Sequence, residues 1–112
     1  MKRIHIAIAT HDIATTVQDY SQRFGVAPIL VVPGEYALWR TRVMNFSVRQ
    51  DSTCQPGELR HFGWEDDAAV TFTTETDCND LLWESFAAHH QAAEINDIWP
   101  DAEYVVEATP EE

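Results

Sequence analysis

Residues 3–25, RIHIAIATHDIATTVQDYSQRFG, alternate first and then wind. Ile4, Ile6 and Ile8 point one way and His5, Ala7 and Ala9 the other, which is the period-two signature of a strand with two distinct faces. Asp12 is placed to cap a helix whose apolar positions, Ile13, Val17, Tyr20 and Phe24, keep the helical period until Gly25 stops it. Working outward, APILVVPG (27–34) is a strand closed by a Pro-Gly turn. EYALWR (35–40) and VMNFSVRQ (43–50) make a hairpin about Thr41-Arg42, and DSTCQPGE (51–58) is a loop. The first half therefore reads β-α-β-β-β.

The second half begins alike. ELRHFGWE (58–65) is a strand, and AVTFTTE (69–75) extends it or forms another. Asp77 is expected to cap a second helix carrying Leu82, Phe86, His89 and Ala93 on one stripe. INDIWP (95–100) is a short strand or turn, AEYVVEA (102–108) a last strand, and TPEE (109–112) a tail. Strand, helix, strands, twice over, is a weak internal repeat, and paired halves commonly enclose one cavity. No linker separates them, so 1–112 reads as a single α+β domain with modules of about 1–57 and 58–112.

Composition bounds the function. A net charge of −12 argues against nucleic acid as a partner and permits cationic ligands. No apolar run approaches the roughly 18 residues of a membrane span, and the basic start of MKRIHIAIATHD lacks a cleavage pattern, so a cytoplasmic protein is expected. Cys54 and Cys78 have neither metal nor redox spacing and read as free thiols. Arg40, Arg42, Arg49 and Arg60 are four of only seven basic residues, and all lie between positions 40 and 60.

His5 and His61 sit inside strands beside small neighbours, Ala7 and Gly63, which leave room next to each imidazole. Glu103, Val105 and Glu107 share a face of the expected last strand, so a carboxylate could complete a two-histidine, one-carboxylate set for Fe, Mn, Zn, Co or Ni. An ordinary hydrogen-bonded core histidine and a solvated glutamate are the competing readings. His11 and the pair His89-His90 read as polar edges of helices.

IHIAIATHDIATTVQDYSQRFGVAP, PGEYALWR, MNFSVRQ and GELRHFGWE together resemble the vicinal oxygen chelate superfamily, the glyoxalase, bleomycin-resistance and extradiol-dioxygenase group. The nearest likeness is to its cadmium-induced and arsenic–carbon lyase branch, and it covers residues 3–66. The resemblance implies two βαβββ modules forming a curved mixed sheet with a cup-like cavity around a divalent metal, the second module being short here. It implies His5, His61 and Glu103 as metal ligands, matching the family glutamate of a W-E-x-Y context to Glu103, with Glu107 as the fallback. Glu107 is otherwise the candidate general base. Arg40, Arg42 and Arg49 are candidates to hold an anionic group of a small-molecule substrate, since a guanidinium fork suits carboxylate or phosphate, and Trp39, Trp64 and Trp99 to wall the pocket. The chain departs from the pattern in two ways. VMNFSVRQ offers no carboxylate, which weakens a glyoxalase I reading, and Cys54 and Cys78 are not the adjacent pair of the arsenic-cleaving branch. The expectation is a metal-dependent lyase or dioxygenase, with a metal-free ligand- or drug-binding protein of the bleomycin-resistance kind as the alternative, and a homodimer in either case.

Overall fold

The computed structural model describes residues 1–107. Its elements, in chain order, are β1 (Lys2–Thr10), α1 (Ile13–Phe24), β2 (Leu30–Val32), β3 (Tyr36–Arg40), β4 (Met44–Gln50), β5 (Leu59–Asp66), β6 (Thr73–Thr76), β7 (Leu82–Phe86) and α2 (Ala88–Ile98), followed by a 3-10 turn at Pro100–Ala102. The strands form one mixed sheet in the order β2-β3-β4-β1-β5-β7-β6, so the fold is α+β. β1 lies parallel to β4 and antiparallel to β5, and β7 lies parallel to β5.

The first half follows from its sequence signals. The Asp12 carboxylate accepts the Thr15 amide and starts α1, and Gly25, in the left-handed region at φ 76°, ends it. Ile13, Val17, Tyr20 and Phe24 pack on the outer face of the sheet against Ile6, Ile8, Trp39, Phe46 and Val48. The opposite, inner face carries Arg3, His5, Ala7 and Ala9 of β1, all buried. Trp39, expected to wall a pocket, is instead a fully buried member of the outer-face core.

The second half departs from its expected order. Asp77 caps no helix. Its carboxylate accepts the amides of Asn79 and Leu81 and the indole N–H of Trp83, closing a tight turn between β6 and β7. A side chain bonding an amide two residues on is the same local bond in a turn as in a helix cap, so the residue type could not tell them apart. Leu82 and Phe86 are four apart, a spacing that satisfies both the helical and the strand period, and they belong to β7. The helix lies later, at Ala88–Ile98, and absorbs most of the INDIWP segment. It covers the inner face of β3 through Ala92 and Ile95, which meet Tyr36 and Leu38.

The expected last strand is not formed over its described residues. Glu103 takes a left-handed backbone, φ 47°, and Tyr104 is pinned by paired backbone bonds to the Asn96 side chain, so residues 103–107 join no sheet. The TPEE tail lies outside the described residues.

A buried charged network floors the inner face. Glu65 receives Arg3 Nη1 at 2.6 Å, Arg40 Nε at 2.8 Å, Arg40 Nη2 at 2.9 Å and Asn45 Nδ2 at 2.9 Å. Arg40 is therefore committed to Glu65 rather than to a ligand. Burial alone would raise the Glu65 carboxyl, but the bonds from Arg40 and Asn45 and the two arginine charges outweigh it and hold it below the ordinary glutamate value. An acid depressed in the folded state stabilises the fold at neutral pH, and that contribution is lost as pH falls, because the unfolded chain takes up the proton first. Two outcomes are expected in urea unfolding. Glu65→Gln should cost about 3–5 kcal/mol at pH 7, because two buried guanidiniums lose their counterion. The wild type should weaken as pH falls below about 4.3, the ordinary glutamate range, and the variant should lack that part of the slope.

Candidate metal centre

One row of the sheet builds the site. Asn45 of β4 pairs with His5 of β1, His5 with Gly63 of β5, and Gly63 with Glu84 of β7. His61 lies one inner-face position along β5, opposite Ala7. Gly63 is the gap in the row over which the three longer side chains gather. A Cβ there would overlap the Glu84 backbone carbonyl of the neighbouring strand, so only glycine lets β7 lie this close.

The distances are those of a ligand set. His5 Nε2 is 3.0 Å from His61 Nε2, His61 Nε2 is 3.0 Å from Glu84 Oε1, and His5 Nε2 is 3.8 Å from the same oxygen. With metal–ligand bonds of about 2.1 Å, donors on neighbouring positions of a divalent ion stand roughly 3 Å apart. His5 and His61 are buried and Glu84 is partly buried. The three residues thus form a possible metal-binding triad.

The protonation pattern follows from the network. Glu65 only accepts, so the Asn45 group facing it must be the amide nitrogen, and Asn45 Oδ1 faces His5. His5 Nδ1 lies 2.9 Å from that oxygen and 3.1 Å from the Asn45 backbone carbonyl, two acceptors, so Nδ1 carries the proton. Gln91 Nε2 also donates to Asn45 Oδ1, from α2. The lone pair of His5 is then on Nε2, aimed at His61 and Glu84. Burial, and next the neighbouring His61, hold the His5 imidazole below the ordinary histidine value, against the weaker pull of Asn45 and Glu84. Two imidazole nitrogens and a carboxylate oxygen therefore face one another, and His5 brings no proton to the group. Phe86 sets its ring edge-on to His5 with centroids 5.0 Å apart, and Phe72 stacks on Phe86.

The triad opens on a cavity of about 350 Å³. Arg49, Arg60, Glu94 and Trp99 are among the residues lining it. Burial in this wall, and then the Glu84 charge, raise the Glu94 carboxyl above the ordinary value.

The sequence-derived candidates divide accordingly. His5 and His61 converge as expected. Glu103 does not join them: it lies exposed after the 3-10 turn, and Glu84 takes the third position. Glu107 is exposed and touches the site only indirectly, its backbone carbonyl accepting Arg40 Nη1 at 3.3 Å, whereas Glu94 is a carboxylate that lines the cavity without belonging to the triad. Arg49 and Trp99 line the cavity. Arg40 and Trp39 are buried elsewhere, and Trp64 is half-exposed near Lys2, which lies over its ring. The signal for Glu84 lay in Trp83-Glu84-Ser85-Phe86, a W-E-x-aromatic run hidden by the helical reading of the segment.

No protein-family model matches the chain, and comparison with curated proteins finds no relative. No helix among the described residues is long and apolar enough to cross a membrane.

Gly63→Ala tests the row. The added methyl should push β7 from β5, lower stability by about 1–3 kcal/mol as overpacking does, and weaken divalent-ion binding with it. Thermal melts and metal titration of the folded variant check both.

Proposed function

We propose that the protein is a divalent-metal-dependent enzyme acting on a small molecule, a lyase or dioxygenase of the vicinal oxygen chelate kind. The observation that carries this reading is the convergence of three electron-pair donors, His5 Nε2, His61 Nε2 and Glu84 Oε1, at about ligand spacing on the inner face of the sheet. Without a cation a proton on His61 Nε2 can serve Glu84 Oε1 or His5 Nε2 but not both well, which leaves one acceptor of the set unpaired away from bulk water, a cost. With a cation the set is satisfied. The chain order of the donors also supports the superfamily: one histidine opens each half, and the glutamate sits in the strand that ends the second half's sheet, in the aromatic context that the resemblance attaches to it. The β1-α1-β2-β3-β4 unit, with its first and last strands parallel, supports it too.

In this reading His5, His61 and Glu84 would hold the ion beside the cavity that they line. A bound divalent ion supplies Lewis acidity to substrate oxygens or lowers the proton affinity of a water. The chain's own residues do the rest. Asn45 fixes the His5 tautomer and orientation, as partners of metal-bound imidazoles do. Glu94 takes up or returns a proton at the cavity wall, a role that the raised proton affinity of its carboxyl favours. Phe86 covers one edge of His5 and is backed by Phe72. Iron, manganese, zinc, cobalt and nickel all suit two imidazoles and a carboxylate.

Metal analysis of untagged protein tests this. Wild type should hold about one ion per chain, and His5→Ala, His61→Ala and Glu84→Gln should each lose at least tenfold in affinity while staying folded. Glu103→Gln should bind as wild type does. A wild type that binds no divalent ion yet takes up a cationic aromatic drug, seen as tryptophan quenching, would favour the metal-free binding protein instead.

A further inference from the structure

Acidic residues outnumber basic ones 19 to 7, so nearly any basic side chain could find a carboxylate. Four of the seven form ion pairs: Lys2 with Asp66, Arg3 and Arg40 with Glu65, and Arg23 with Asp19. Arg49 and Arg60 make no ion pair or hydrogen bond among the described residues, and both line the cavity beside the triad.

Each is placed there by the fold. Arg49 follows Asn45 and Ser47 on the inner face of β4, and its guanidinium lies 5.2 Å from the centre of the Trp99 ring. Trp99 in turn packs on Tyr36 with ring centres 4.9 Å apart. A guanidinium drawn to an aromatic face keeps its N–H groups open to a ligand. Arg60 is the extra residue of a bulge: His61 pairs with Ala7 and Leu59 with Ile8, leaving Arg60 without a partner on β1. A bulge breaks the alternation that would otherwise send Arg60 opposite to His61, and both line the same cavity.

We infer that Arg49 and Arg60 form an anion clamp, and that the cavity takes a small organic anion, its carboxylate or phosphoryl group on the two arginines and its oxygen donors toward the triad. The inference rests on the metal reading for the second half of that statement. Charge supports it. A divalent ion with two guanidiniums supplies four positive charges against the three carboxylates Glu58, Glu84 and Glu94 of the wall, an excess of one that an anion would neutralise. Glu58 is moreover engaged as the acceptor of the Gln55 amide. A guanidinium fork matches both carboxylate and phosphoryl oxygens in two-bond geometry.

The test uses succinate, methylphosphonate and neutral succinamide, titrated by calorimetry into Mn(II)-treated and chelator-treated protein. Mn(II) binding alone is measured first. The clamp predicts that at least one anion binds, that succinamide does not compete, and that Arg49→Gln and Arg60→Gln each weaken the anion about tenfold, while Mn(II) affinity stays within twofold. Succinate against methylphosphonate tells carboxylate from phosphoryl. Normal Mn(II) binding with anion affinity unchanged in both variants, or with neither anion bound, overturns the clamp and leaves the metal reading standing. Absent Mn(II) binding overturns the metal reading by itself. Arginine-dependent anion binding would then still sustain the clamp, and no anion binding would remove it too.

Discussion

The carboxylate of Glu65, held between Arg3 and Arg40 under the middle of the sheet, is the contact on which the rest of the site depends. It compensates two buried guanidiniums in a place where either alone would be costly. It also does something a hydrophobic floor could not. Being an acceptor only, it fixes which end of the Asn45 amide faces it. That orientation decides which nitrogen of His5 carries the proton, and so which nitrogen presents a lone pair to His61 and Glu84. A buried ion pair contributes little net stability in general. Here its value is directional, and it reaches the site through a chain of hydrogen bonds, each about 3 Å long.

The second requirement is an absence. Gly63 removes a side chain at the centre of the row, so β7 can run beside β5 and bring Glu84 opposite two imidazoles. Between β5 and β7 the chain builds only the short edge strand β6, and no helix. The helix comes last instead. α2 lies over the inner face and, through Gln91, braces Asn45 from above. The cavity is thus walled by a helix that follows the sheet rather than by further strands.

Much of this was legible in the residues, and the failures have specific causes. The alternation of β1 and the caps of α1 placed the first half correctly because each signal there had one reading. His5 and His61 were legible as a pair through their small neighbours. Glu84 was not, because Leu82 and Phe86 stand at a spacing that serves either period and Asp77 bonds ahead of itself in a turn as it would in a helix. A helical reading of that segment hides Glu84 and leaves Glu103, in the next stretch rich in β-formers, as the match to the family's glutamate. Tyr104 and Val105 suit a strand, but the Asn96 side chain takes both Tyr104 backbone groups, and Glu103 is turned out of line. Arg40 and Trp39 could not have been assigned from sequence, since their destinations are set by which face of β3 each occupies against β4 and α1.

The central claim is that His5 presents a bare Nε2 to His61 and Glu84 as part of a cation site. Long-range nitrogen–proton NMR of the five histidines reads this directly. In metal-free protein at pH 7, His5 should be neutral and protonated on Nδ1, and one equivalent of Zn(II) should move the Nε2 signals of His5 and His61 and leave those of His89 and His90 in place. A His5 protonated on Nε2, or a spectrum that Zn(II) leaves unchanged at both nitrogens, would contradict the account.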